Sequence, residues 1–142
     1  MTKLFGREYH WILKGKTPVA INDVLAWGKW FETADRTVKK TEIQQYEVST
    51  VFLGLDHQFS MDEDALPLLF ETMVFENLDE PVVSKFEFNG RLIRKEYDKI
   101  SLEGIDGYMM RYSTWGEAEA GHEAIVALVR RSLMRVVNGG HA

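Results

Sequence analysis

At 142 residues, 45% apolar and 27% charged, the chain reads as one domain spanning 1–142 with enough length for a real core. The absence of cysteine excludes disulfides, thiolate metal sites and thiol nucleophiles, and it fits a reducing compartment. A net charge of −5 argues against duplex nucleic acid as partner, and with no signal-like start or apolar run of about 18–20 residues we expect a cytoplasmic chain without a membrane contact.

Taken in order, residues 8–21 predict a hairpin, with Tyr9–Leu13 and Val19–Ile21 extended around the turn residues Lys14–Pro18. Gly15-Lys16-Thr17 lacks the earlier glycine of a phosphate-binding loop, and that reading is rejected. Asn22 or Asp23 caps a first helix through about Asp35, with Val24, Trp27, Phe31 and Ala34 on its buried face. Thr41–Tyr46 is read as a short strand or an extended connector.

Val48–His57 predicts the central strand, being β-branched, aromatic and free of proline. Period-2 alternation puts Val51, Leu53, Leu55 and His57 on one face and Thr50, Phe52, Gly54 and Asp56 on the other. Both faces are largely apolar, so both are expected to be covered. An acidic loop follows, in which Asp62-Glu63-Asp64 lacks the alternation of a calcium-binding EF-hand loop. Leu66–Phe75 then predicts a strand antiparallel to the central one, with Glu71 among apolar neighbours.

Residues 76–106 differ in character. Asn89-Gly90 between short alternating runs predicts an inserted β-hairpin of about 82–88 and 91–99, an arm suited to a two-fold homodimer contact. Tyr108–Tyr112 is a last strand, and Thr114 with Glu117 has capping-box spacing before a long helix to about Val137. The buried stripe of that helix runs Trp115, Ala118, His122, Ile125, Val129, Leu133 and Val136. Together these elements specify an α+β fold: a mainly antiparallel β-sheet, with an N-terminal helix and a long C-terminal helix packed on one side.

Four stretches occur in a telling order: Trp27–Arg36, Val48–His57, Leu69–Phe75 and Arg111–His122. On these the chain resembles a family of small uncharacterised proteins encoded by tailed bacteriophages and prophages. The resemblance spans 22–75 and 108–130 and departs at 76–106. It implies a phage source and no particular chemistry. For such a source the expectation is an accessory protein that antagonises host defence, by binding a small nucleotide-like ligand or a defence protein.

Three groups of residues carry candidate chemistry. Asp56, His57 and His122 supply the groups for acid–base phosphodiester cleavage, or for a divalent metal such as zinc or manganese; in the alternative reading Asp56 caps a loop and His122 is a satisfied core histidine. His57 and His122 are expected to converge at the end of the central strand, since His57 terminates it and His122 lies on the helix stripe facing the sheet. Arg111 and Glu71 form either an ion pair or a phosphate clamp with its orienting carboxylate. Tyr112, Trp115 and Phe59 either stack on a ligand or fill core. Binder, His-dependent hydrolase with or without a metal, and structural accessory protein therefore remain three distinct readings, with no resident cofactor required by the first.

Overall fold

The computed structural model describes residues 3–4, 6–77, 82–97 and 104–139. In chain order the elements are β1 (Lys3–Leu4), β2 (Arg7–Glu8), β3 (Trp11–Lys14), β4 (Thr17–Ala20), α1 (Val24–Thr33), β5 (Thr37–Ile43), β6 (Tyr46–Phe52), β7 (Phe70–Glu76), β8 (Val82–Phe88), β9 (Arg91–Tyr97), β10 (Met109–Tyr112) and α2 (Trp115–Gly139). Every pairing is antiparallel, and the main sheet runs β10-β7-β6-β5. The expected α+β class holds.

Strand β6 is central, and its pattern is strict. Tyr46, Val48, Thr50 and Phe52 are buried, whereas Glu47, Ser49 and Val51 are only half-buried. Helix α2 lies across the buried face and packs Ile125, Val126, Val129 and Leu133 against Ile43, Tyr46, Val48 and Val74. Each such aliphatic side chain contributes about 1.5–3 kcal/mol by leaving water. A second cluster closes the other end of this face, where Phe52, Leu69, Phe70 and Ala118 meet Trp11 and Leu13 of the N-terminal hairpin and Trp30 of α1. The ring of Trp30 stands edge-on to Phe52, with centroids 5.8 Å apart.

The helices cover only this one face, contrary to the expectation that both are covered. The central strand is also displaced: it starts at Tyr46 and ends at Phe52 instead of running to His57. Gly54 is the reason. Its φ of +79° is open to glycine but strained for other residues, and an added Cβ would stand 3.0 Å from the Phe31 ring. The indole N–H of Trp27 donates to the Gly54 carbonyl at 2.9 Å and to Trp11 O at 3.1 Å, so the turn is held where α1 crosses it.

The terminal devices match their spacing. Asp23 accepts from the Ala26 amide at 3.1 Å, and the Glu117 amide donates to the Thr114 hydroxyl at 3.1 Å. The buried stripe of α2 is as expected through Leu133, but Val136 is 42% exposed because α2 outruns the sheet. Strands β8 and β9 pair from Val82↔Tyr97 to Phe88↔Arg91, around Asn89 and Gly90 at φ 51° and 74°, the left-handed pair of a tight hairpin turn. Residues 98 and 99 of the expected arm lie outside the described residues. Among the described residues, no helix is long and apolar enough to cross a membrane.

Candidate functional site

The covered face of the sheet contains a polar chain. Thr50 on β6, Thr72 on β7 and Thr41 on β5 all turn their hydroxyls towards α2, which lowers His122 among them. His122 Nε2 lies 2.8 Å from Thr41 Oγ1, its Nδ1 lies 2.7 Å from Thr50 Oγ1, and Thr50 Oγ1 lies 2.5 Å from Thr72 Oγ1. Thr50, Thr72 and His122 are fully buried. Burial pushes the His122 imidazole below its ordinary range; nearby Glu123 opposes this and Lys39 adds to it. A neutral imidazole presents one donor and one acceptor, and here both nitrogens have a hydroxyl partner. His122 is thus a satisfied core histidine, with its hydrogen bonds directed into the fold.

Next to it, Gly121 makes room for Tyr112. An added Cβ at Gly121 would fall 2.2 Å from the Tyr112 oxygen and 2.3 Å from its ring, so only glycine admits the phenol there. Burial raises the Tyr112 phenol above its usual range, with the Thr72 hydroxyl acting against that. The oxygen itself is buried and makes no hydrogen bond of ordinary geometry.

Asp56 belongs to a different construction. Its Oδ1 accepts from the amides of Gln58 at 2.7 Å and Leu68 at 3.0 Å, while its Oδ2 accepts from Arg7 Nε at 3.2 Å. The Arg7 guanidinium also donates to the carbonyls of Gln58, Ser60 and Asp62. Both side chains are nearly enclosed, at 10% and 4% exposure. The pair therefore pins both ends of the 57–68 loop, and Asp56 is a loop organiser. Arg7 has no periodic or motif context in the sequence, and nothing local marks it as the partner of a residue 49 positions away.

His57 Nδ1 bonds the Leu55 carbonyl at 2.9 Å, and its ring leans on Phe59 at 5.9 Å. His57 and His122 are consequently not brought together. His122 sits over Thr50 in mid-sheet, whereas His57 follows the Gly54 turn into the loop. Among the described residues no group of three or more His, Asp or Glu side chains could hold a metal ion, so Asp56, His57 and His122 form no common ligand set.

The ligand-binding group also divides. Alternation along β10 sends Arg111 to the open face and Tyr112 to the covered one. Tyr112 and Trp115 pack against the Phe52–Phe70 cluster, and Phe59 is 56% exposed on the loop. Arg111 and Glu71 do meet: they are register partners on β10 and β7, and Arg111 Nε donates to Glu71 Oε2 at 2.9 Å. Their side chains are 29% and 13% exposed. Val51 stands in register with Glu71, and the same face continues through Met73 and Met109 to Phe75. Phe75 is 47% and Met109 42% exposed. The second ion pair of this face, Lys40 with Glu47 at 3.5 Å, lies between β5 and β6.

A comparison with family models, curated proteins and solved structures returns no match to this chain.

Proposed function

We propose that this chain is a small phage-encoded accessory protein that acts by binding, with the open face of its sheet as the recognition surface and a host defence protein as its target. The observation that carries the reading is the contrast in commitment among polar groups. Asp56, His57 and His122 have their hydrogen bonds directed into the chain's own loop and core. The Glu71–Arg111 pair instead lies partly exposed, chiefly at Arg111, among Val51, Met73, Phe75 and Met109. Accessible methionine and aromatic side chains around an arginine match the composition of protein-recognition patches. The likeness to phage and prophage sequences in four ordered motifs supports the source, and the host cytoplasm is the matching location.

The experiment is a plating assay on host strains that each carry one defence system, with the chain expressed from a plasmid. Relief of at least one system is expected. The Phe75→Asp/Met109→Asp variant should lose that relief while remaining folded, with a melting temperature lowered only modestly, since neither side chain is in the core. Full activity in that variant, or relief of no system, would overturn the reading.

A second reading keeps the open face and changes the ligand to a small nucleotide-like anion held by Arg111. The guanidinium favours it, because its forked donors suit phosphate oxygens and about a third of the side chain is reachable. Binding of a nucleotide panel by calorimetry, lost in Arg111→Ala, would select this reading over the first. Among the described residues, the hydrolase reading and the assembly reading have no comparable grouping of side chains behind them.

A further inference from the structure

Helix α2 has a second face. Its inner face is spent on the sheet, packing against β5, β6, β7 and β10. Its outer face is exposed, with Ala120, Ala127 and Met134 along the midline, the last at 62% exposure. At about 100° per residue, Glu117 and Arg135 fall on one flank of that midline, and Glu123 and Arg130 on the other. All four are exposed. On each flank the acid comes early in the helix and the arginine late.

We propose that the outer face of α2 docks on the same face of a second copy of this chain, with the two helices antiparallel about a two-fold axis near Ala127. In an antiparallel pair, like flanks face each other. Glu117 then meets the partner's Arg135, and Glu123 meets the partner's Arg130. The two-fold repeats both contacts, so four ion pairs form from one self-complementary surface. Met134 covers the partner's Ala120, and alanine at the centre allows the axes to approach to the short end of the usual 8–10 Å range.

The helix dipole accounts for Glu117, which lies in the first turn, but not for the whole of this arrangement. Its influence is confined to the first and last turns, and Glu123 and Arg130 lie well inside a 25-residue helix. Partners within the chain do not exhaust the carboxylates either. Glu117 Oε1 accepts from the Thr114 hydroxyl, and Glu123 Oε1 pairs with Lys39, so these contacts engage one oxygen of each carboxylate. The hydrogen bond from Lys39 holds Glu123 in its charged form, with Arg130 adding a small contribution.

The cysteine-free sequence makes the geometry directly readable. A cysteine at 127 lies on the two-fold, within disulfide reach of its own copy, whereas cysteines at 116 are held about 30 Å apart by the rise of the helix. Gly116 has open space around an added Cβ, so both variants should fold. We expect the parent to sediment as a dimer at about 50 µM in low salt, within the ordinary range of weak homodimers. Under mild oxidation Ala127→Cys should cross-link at least about tenfold faster than Gly116→Cys. The Arg130→Glu/Arg135→Glu variant should dissociate, with Kd raised on the order of a hundredfold as four attractions become repulsions. Mixing it with Glu117→Arg/Glu123→Arg should restore a one-to-one dimer. A monomeric parent, equal cross-linking at 116 and 127, or failure of the folded charge-swapped pair to associate would each overturn the proposal.

Discussion

The two faces of the main sheet handle polar groups in opposite ways. On the covered face, Thr41, Thr50, Thr72 and His122 form a closed chain of short hydrogen bonds beneath α2. On the open face, the Glu71–Arg111 and Lys40–Glu47 pairs stand partly in solvent among half-exposed apolar side chains. Strands β5, β6 and β7 supply polar groups to both sets, since their alternate residues point to opposite sides. Burial therefore decides role here more than residue type does. Histidine, the side chain best suited to chemistry near neutral pH, is committed to architecture, while a salt bridge that looks structural remains accessible.

The largest expected effect tests the covered face. His122→Leu keeps the volume but leaves the Thr50 and Thr41 hydroxyls without the imidazole, which should cost about 2–4 kcal/mol in urea unfolding. A loss below about 0.5 kcal/mol, the ordinary scatter of neutral surface changes, would show that the network is not integral to the fold. Gly121→Ala should cost about 1–3 kcal/mol, because the new methyl displaces the Tyr112 ring from its notch. A crystal structure of that variant should show Tyr112 moved.

Stability should also depend on pH through His122. Its folded value is lowered by burial, so the unfolded chain takes up the proton first. The contribution is complete above about pH 6.5, the ordinary histidine value, and is lost as pH falls below it. The slope should approach about 1.4 kcal/mol per pH unit at most, for one proton. In His122→Gln that part of the slope should vanish; an unchanged profile would mean that another group carries it.

The open face should respond in the other sense. Arg111→Lys retains a cation beside Glu71 in a partly exposed pair, so stability should change by less than about 1 kcal/mol. If the anion reading holds, ligand affinity should nevertheless fall roughly ten- to a hundredfold, because an ammonium lacks the paired donors. The smallest effect is expected at Tyr112→Phe, which removes an oxygen without an ordinary hydrogen bond and should alter stability by no more than about 0.5–1 kcal/mol. A larger loss would mean that the Thr72 hydroxyl and the phenol are a working pair.

Local patterns were legible where a single element creates them. The Asn89-Gly90 turn, the Asp23 cap, the Thr114–Glu117 spacing and the α2 stripe through Leu133 follow from backbone preferences and helical or strand periodicity. The meeting of Glu71 with Arg111 was legible only as a condition, that β7 and β10 be neighbours; register satisfied it. The separation of His57 from His122 was not legible. Helical periodicity places His122 on the buried stripe as observed, but strand periodicity carries His57 past Gly54, whose left-handed backbone follows the end of the strand at Phe52. The alternation of burial continues through that glycine as far as Asp56, so parity alone gives no sign of where the strand ends.

The amino-acid sequence by itself determined the class of fold, the order of its principal elements and which face of α2 is apolar. These depend on interactions within a few residues, summed along an element. Only the tertiary structure decided which polar groups are used up. The Arg7–Asp56 pair closes over 49 positions, and the Thr41–His122–Thr50–Thr72 chain draws on three strands and a helix. No local propensity encodes such partners. They are selected by the need to satisfy each buried donor and acceptor once helix and sheet have packed, and that requirement arises only in the folded molecule.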